Sequence, residues 1–423
     1  MLVGHLLFHG PGAGATGEAP ARAGATVLAA RAMTEGTRRR DAVELIEAAE
    51  RLGAEIAADS GWDSFAASVE VPRSRLAPAL ELLAEVALEP SFPEHEVQRL
   101  RDERLNDLLQ AKAEPRRRVE RAFAETLYAP AARLCPPTGR QRGDRAPRST
   151  VTRSWRVTPP ARPRQRDPGP GGRPDGHRRD HPRRPGAGRL EGHRPRRHDR
   201  RGRPRGLRHA GAGRARGGGP SSRLAPVGAA HRACGVPRRT PDFHAISVLN
   251  AILGGLFGSR LNALLREQKG YTYGVHSSFD MRVGAGPFAV RTAVQTEFTV
   301  PAIVDTLAEL RRIGEGPVTD EEPTTARDYL VGVFPLRYET SGQVAGAIAG
   351  LVANGLPDDE LDRYRPAVAA VSAEQVLEAA RARIRPAEAS VVVVGDADAF
   401  LPALEAGIGR VEVVREEVGG PEA

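Results

Sequence analysis

Apolar and polar positions alternate in two stretches that lie far apart in the chain. Phe65–Val71 reads FAASVEV and Phe288–Val294 reads FAVRTAV, the alternation of a strand with one buried face. Directly after each stretch, apolar residues recur at helical spacing, in Leu76–Leu88 and again in Val300–Ile313. The pattern therefore predicts one strand-then-helix unit that is used twice.

The elements around these two units repeat as well. Each unit is followed by a loop with Pro and acidic residues and then by a longer helix, and each is preceded by a helix rich in Ala or Leu. The preceding helices are predicted at Ala23–Thr34 and Ala245–Gln268, the loops at Glu89–Glu96 and Glu315–Glu322, and the following helices at Val97–Lys112 and Thr324–Phe334. We predict an α+β fold of two homologous half-units, each a mixed sheet packed with helices.

The segment between the halves, Leu134–Cys234, differs from both in composition. Between Arg133 and Cys234 the chain holds 28 of its 62 basic residues and 6 of its 53 acidic ones, so the rest carries a net charge of −13. A disordered basic linker that binds nucleic acid would fit the charge. However, such binding uses aromatic residues between the arginines to stack bases, and only Trp155 is present.

A shifted reading frame explains this composition better. Lysine occurs only at Lys112 and Lys269, which is typical of a GC-rich gene, and a shifted frame in such a gene yields Arg, Pro, Gly and Ala. Read one base later, the codons of Arg166–Asp175 permit Ala-Thr-Leu-Val-Leu-Ala-Gly-Asp-Leu-Thr, which is similar to ASVVVVGDAD at Ala389–Asp398. We predict domains at 1–133 and 235–423, joined by a frameshifted, disordered segment at 134–234.

Two motifs resemble a known family, the insulinase/pitrilysin zinc metallopeptidases. AGATVLAARAMTEGT at Ala23–Thr37 resembles the first helix of these enzymes, ending in Glu-Gly-Thr. SVLNAILGGLFGSRLNALLREQKGYTYGV at Ser247–Val275 resembles the signature of their C-terminal half. The resemblance covers Gly4 to about Pro130 and Gly235 to about Phe400, and it implies the insulinase-type α/β fold for both half-units.

The resemblance also implies a zinc site, and this chain departs from it. Active members carry HxxEH, in which two His bind zinc from one helix face and the Glu activates the bound water. Here the His positions fall on Val27 and Arg31, the Glu on Ala30, and the third ligand of the family near Leu108. We therefore expect no metal and no cofactor in this chain, and no peptidase activity from the chain alone.

A second part of the family's site is present in the C-terminal half. The resemblance implies that an Arg and a Tyr separated by six residues contact substrate, and they fall on Arg266 and Tyr273. The alternative is a solvated helix residue and a tyrosine that packs its ring. Three nearby glycines, Gly254, Gly255 and Gly270, fit positions of close helix packing or a helix C-cap.

These observations predict a non-catalytic subunit that forms a heterodimer with an HxxEH-bearing chain and contributes to peptide hydrolysis there, with zinc held by the partner. The alternatives are a structural or binding member of the family, and a basic nucleic-acid-binding protein.

Glu94-His95-Glu96 could be a metal cluster but is better explained as a polar helix start. The opening Met1–Gly10 lacks a charged signal-peptide region and no apolar run reaches roughly 18 residues, so we expect a cytoplasmic protein without a membrane span.

Overall fold

The structure of the protein, a computed structural model, describes residues 1–9, 14–15, 18, 22–127, 224–231, 235–409 and 411–413. These residues belong to one compact unit. Most of the segment predicted to be frameshifted and disordered, 134–223 and 232–234, lies outside the described residues.

The N-terminal half is a three-stranded antiparallel sheet packed with helices. Its strands are β1 (Leu2–His9), β2 (Glu55–Ser60) and β3 (Ser64–Val71), in the order β1-β3-β2. Its helices are α1 (Ala25–Ala32), α2 (Ala42–Leu52), α3 (Leu76–Leu88), α4 (Glu94–Ala113) and α5 (Pro115–Leu127). The predicted strand and the predicted helix α3 are confirmed, because alternate residues of β3 and one face of α3 form the core of this half.

The C-terminal half is a four-stranded antiparallel sheet. Its strands are β4 (Leu224–His231), β5 (Thr272–Phe279), β6 (Phe288–Gln295) and β7 (Ala389–Val393), in the order β5-β6-β4-β7. Helix α6 (Phe243–Asn250) continues as the π-helical turn Ala251–Gly255, and α7 (Arg260–Asn262) continues as the π-helical turn Ala263–Gln268. The later helices are α8 (Thr299–Glu315), α9 (Glu321–Val333), α10 (Ser341–Asn354), α11 (Glu360–Ala369), α12 (Ala373–Arg383) and α13 (Ala397–Ile408).

The two sheets have the same strand order, which supports the predicted repeat. The order β1-β3-β2 corresponds to β4-β6-β5, and the C-terminal sheet adds β7 on the outer side of β4. The expectation of mixed sheets is wrong for the described strands, all of whose pairings are antiparallel. Short turns favour this arrangement, since only residues 61–63 join β2 to β3 and parallel strands need a long crossover.

The prediction that the whole of 134–234 is disordered is wrong, because strand β4 lies inside this segment. Leu224–His231 contains no arginine, and its backbone pairs with β6 on one side and β7 on the other. Strand β6 pairs with all of β4, and β7 pairs with Val227–His231, so peptide groups on both sides of this part of β4 are satisfied. The first strand of the C-terminal half is therefore present inside the segment 134–234, which was predicted to be disordered.

The two halves exchange helices. Helix α5 of the N-terminal half packs on β4 and β7, and its residues Phe123 and Leu127 cluster with Ala289 of β6 and Val392 of β7. In return, α10 of the C-terminal half packs on β1, and the Ser341 hydroxyl donates a hydrogen bond to the carbonyl oxygen of Met1. Each half therefore supplies a helix to the sheet of the other.

One described stretch, Phe243–Gln268, has the length and mean hydropathy (1.4) of a membrane-spanning helix. More than half of its most apolar 18-residue window is buried inside the protein. Its residues Ile246, Leu249, Leu253, Leu261 and Leu265 belong to the main core of the C-terminal half.

Candidate functional site

The positions of the expected zinc motif lie on two helices that pack against each other. Val27, Ala30 and Arg31 are on α1, and Leu108 is on α4. Ala30 is buried, whereas the Arg31 guanidinium is exposed and lies 3.4 Å from the Asp107 carboxylate on α4. Helices α1 and α4 thus contact each other, with an Arg–Asp ion pair beside Leu108.

These side chains do not fit a zinc ion. A zinc site needs about three nitrogen, sulfur or carboxylate ligands, and two aliphatic groups, a methyl group and a guanidinium supply none. Among residues 22–127 and the other described parts of the chain, there is no group of three or more His, Cys, Asp and Glu that could hold a metal ion.

The cluster Glu94-His95-Glu96 is part of an ion-pair network. Arg99 binds Glu96 at 2.6 Å, Glu103 at 2.6 Å and Glu35 at 2.9 Å. The hydrogen bonds that Arg99 donates to Glu96, Glu35 and Glu103 raise the pKa of Arg99, and the one that Glu96 accepts lowers the pKa of Glu96. Glu96 therefore forms an ion pair with a guanidinium, as expected for a polar helix start at α4.

In the C-terminal half, Arg266 and Tyr273 flank a tight connection between helix and strand. The π-helical turn ends at Gln268, and Gly270 takes the left-handed conformation (φ 66°) while its N–H donates to the Arg266 carbonyl. This confirms the prediction of a helix C-cap at Gly270. Strand β5 begins two residues later, at Thr272.

Tyr273 lies in a β-bulge at the start of β5, which is an edge strand. Thr272 pairs with Val294 and Val275 pairs with Thr292, so β5 has one more residue than β6 in this interval. The hydroxyls of Thr272 and Thr292 bond to each other at 2.9 Å and fix the bulge. Bulges re-aim side chains, and here the Tyr273 side chain is 94% exposed.

Arg266 is placed over an aromatic ring. Its guanidinium carbon lies 3.9 Å from the centre of the Phe257 ring, which is itself 72% exposed, and its Nε lies 3.6 Å from Glu267. Stacking on the ring holds the planar guanidinium and leaves its N–H groups available to a ligand. The structure thus presents one phenol and one supported guanidinium at the end of the helix and the start of the strand.

Asn262 connects the parts of this site, and the sequence analysis did not identify it. Its amide Nδ2 donates to the carbonyl oxygens of Val275 (2.9 Å) and Leu256 (3.1 Å), and its Oδ1 accepts from the Val275 N–H (3.1 Å). The side chain is 6% exposed, so these bonds are made away from water. The sequence signal for Asn262 is a polar residue at an otherwise apolar helical position of SRLNALL.

Close packing of α6 on β5 completes the support. A Cβ at Gly254 would lie 2.7 Å from the Ser277 hydroxyl, so the predicted close helix packing at Gly254 is confirmed. Ser277 in turn donates to the Asn250 side chain at 2.9 Å. Arg260, part of the same motif, binds Glu322 at 2.6 Å and ties α7 to α9.

Comparison with known proteins agrees with this structure. Residues 12–135 match the family model described as insulinase (peptidase family M16), and residues 230–330 match the model described as peptidase M16 inactive domain. Comparison with curated proteins gave no match. The two family matches fall on the two halves of the repeated α+β plan and define a two-domain, peptidase-like protein. The chain belongs to the insulinase (peptidase M16) family, with the features of a non-catalytic member.

Solved structures have a similar fold. A peptidase M16 inactive domain from Pseudomonas fluorescens is 21% identical, with a TM-score of 0.69 and 92% of each chain covered. A protease from Helicobacter pylori is 14% identical (TM-score 0.68; 93% of this chain and 94% of that one covered). A conserved protein from Enterococcus faecalis is also 14% identical (TM-score 0.58; 90% of each chain). At these identities the similarity establishes the fold.

Proposed function

We propose that this chain is the non-catalytic subunit of a heterodimeric insulinase-family peptidase, in which an HxxEH-bearing partner holds zinc. The observation that carries the proposal is the presentation of Tyr273 and Arg266 on a rigid frame. Tyr273 is 94% exposed at a bulge, and Arg266 is stacked on Phe257. Exposed aromatic side chains held by a fixed backbone are typical of binding sites.

The chemistry of the two groups fits a peptide substrate. A guanidinium offers a planar fork of donors and a phenol offers one more, and both can donate to a carbonyl oxygen. As water attacks the carbonyl at the partner's zinc, negative charge develops on that oxygen. Donors aimed at this oxygen then stabilise the transition state more than the bound peptide.

The second candidate is a scaffold or binding subunit without a role in proteolysis. The aliphatic residues at the zinc positions fit this candidate equally well. The two functions differ in what Tyr273 does, because a scaffold needs no hydroxyl there.

The test is the turnover number of the chain reconstituted with its zinc-bearing partner. Tyr273→Phe removes one hydroxyl and keeps the ring, so turnover should fall on the order of 100-fold while assembly is unchanged. Tyr329→Phe, at a half-exposed tyrosine on α9, is the matched control and should leave turnover unchanged. Unchanged turnover with Tyr273→Phe in a normally assembled pair would establish the scaffold function instead.

We also propose that the gene is frameshifted within the codons of 134–223 and that the natural chain is cytoplasmic. Two observations support the frameshift. The codons of Arg166–Asp175 permit a peptide that resembles β7, and β1 has no described strand on the side where β4 has β7. Resequencing the DNA around codons 130–240, and reconstituting the frame-repaired chain beside the original one, tests this. An unaltered frame in independent clones would refute it.

A further inference from the structure

A cavity of about 380 Å³ lies where the two halves meet, beside the Leu108 position. It is bordered by α4 and α5 of the N-terminal half, by Trp62 in the β2–β3 turn, and by residues of the C-terminal half around Asp280–Arg291. The Asp63 carboxylate accepts a hydrogen bond from the Val283 N–H at 3.1 Å, which joins the two turns. The volume of the cavity is in the range of small-ligand sites.

The lining of this cavity is strongly basic. Seven Lys and Arg side chains line it, against two acidic ones, Glu120 and Asp280. The N-terminal half contributes five of the seven and the C-terminal half contributes Arg282 and Arg291. Because the described chain outside 134–234 is acidic overall, this concentration of cations is local.

Arg282 is a buried cation with unused donor capacity. Its side chain is 7% exposed, its guanidinium lies 3.7 Å from the centre of the Trp62 ring, and its Nε binds Asp280 at 2.9 Å. Its Nη1 is buried without a hydrogen-bond partner in the described part of the protein. A buried donor without an acceptor is destabilising, and an anion in the cavity would supply the acceptor.

Arg104 is a second, half-buried cation in this cavity, and it lies near other positive charges. Burial is the main cause that lowers the pKa of Arg104, and the charges of Arg31 and Arg117 lower it further. The Asp107 carboxylate, at 3.9 Å, acts in the opposite direction. A bound anion would relieve this repulsion. Arg291 is held in the same wall by the Ser278 hydroxyl at 3.1 Å.

We propose that this cavity binds a small polyvalent phosphate compound, with the guanidinium groups of Arg104, Arg117 and Arg282 as its ligands. Guanidinium forks match the oxygen geometry of phosphate and remain charged at any physiological pH. Cations from both halves surround one cavity, so the bound anion would also join the halves. This site is separate from Arg266 and Tyr273 and does not depend on their proposed role.

The experiment is isothermal titration of the full chain with inorganic tripolyphosphate. We expect one site per chain, an affinity that falls as salt is raised, and an increase in the midpoint of thermal unfolding on binding. Arg117→Gln, at an exposed side chain, and Arg282→Gln should each weaken binding about 10-fold. Arg311→Gln, an equally basic and exposed position on α8 outside the cavity, is the matched control.

Three outcomes would overturn the proposal. The first is no binding at millimolar tripolyphosphate by the folded chain. The second is an equal loss with Arg311→Gln, which would indicate attraction by surface charge alone. The third is equally tight binding of citrate, a carboxylate of similar charge, which would exclude selectivity for phosphate. Arg117→Gln keeps the test valid if Arg282→Gln fails to fold.

Discussion

The two halves of the molecule share a strand order but differ at the positions where the family places its chemistry. In the N-terminal half, α1 presents Val27 and Arg31, neither of which can act on a peptide at a metal. In the C-terminal half, the corresponding helix leads to an exposed Tyr273 and a stacked Arg266. The two halves thus keep the same strand order around buried apolar cores, while the positions that the family resemblance assigns to the site hold different residue types.

A buried ion pair illustrates what both halves keep. Near the end of the helix after each hairpin lies a glutamate that is almost fully buried, Glu85 on α3 and Glu309 on α8. Each is bound by an arginine that follows the first helix of its half, Arg40 for Glu85 and Arg260, at 3.7 Å, for Glu309. Removing Arg40 would leave the buried Glu85 carboxylate without its ion partner, which is strongly destabilising, whereas Glu309 would keep its ion pair with Arg312.

The largest expected effect is a gain of zinc binding in the N-terminal half. If α1 and α4 keep the family's geometry, Val27→His, Arg31→His and Leu108→Glu together should create a three-ligand site. The original chain should bind no stoichiometric zinc, and the triple variant should bind one, measured by elemental analysis after dialysis. The control pair Val43→His and Glu47→His, on the exposed face of α2, should bind zinc only weakly. Equal zinc content in the two variants would show that the positions are assigned wrongly.

The next effect concerns the exchanged helix α5. Phe123→Ala removes a ring that packs on β6 and β7, so the free energy of unfolding should fall by about 3 kcal/mol. Leu105→Ala, at a 42% exposed side chain on α4, should change it by less than about 0.5 kcal/mol. Urea unfolding followed by far-UV circular dichroism measures both. A Phe123→Ala chain as stable as the original would mean that α5 does not support the C-terminal sheet.

A smaller effect is expected at Arg266. Arg266→Lys keeps the charge but loses the planar fork, so turnover of the reconstituted pair should fall on the order of 100-fold. Arg260→Lys is not a suitable control because Arg260 is bound to Glu322, whereas Arg311→Lys leaves the site untouched. Turnover that survives Arg266→Lys would indicate that only the positive charge matters.

The smallest effect is a pH dependence in the N-terminal half. Burial would raise the pKa of Glu85, but hydrogen bonds from Thr37 and Arg40 and the charges of Arg40 and Arg39 outweigh it and lower the pKa. The stabilisation is therefore complete above the unfolded pKa of about 4.3 and is lost as pH falls through the lower, folded value. Glu85→Gln should remove this loss of stability at low pH. Glu89→Gln is the control and should not remove it, because Glu89, which pairs with Arg39, is more exposed than Glu85. Unfolding midpoints between pH 3 and pH 6 report the difference.

Much of the fold could be predicted where the hydrophobic pattern is strong. The bounds predicted for α3, Leu76–Leu88, are those of the structure, because its apolar face packs on β3. Helix α2 was missed although Asp41 and Glu44 form a capping box and Gly53 ends it in the left-handed conformation. Helix α5 buries only Val119, Phe123 and Leu127, a narrow stripe in a charged segment that does not reveal which sheet it covers.

The candidate site and the basic cavity were harder to predict, for physical reasons. Arg266 and Tyr273 could be proposed only from the family resemblance, and their presentation depends on a bulge that is set by the register of β5 on β6. Phe257, which supports Arg266, is a single aromatic residue with no local pattern around it. The basic cavity combines residues from Trp62 to Arg291, so only the tertiary structure brings them together.

The helix exchange has a consequence for synthesis on the ribosome. Helix α10, which packs on β1, is made more than 200 residues after α5 is complete. At bacterial translation rates this leaves the N-terminal sheet without α10 for roughly 10 to 45 s. During that interval β1 lacks the packing of α10, and its outer edge, which pairs with no described strand, can associate with other chains. A chaperone that binds nascent chains would therefore be needed most before residue 341 emerges.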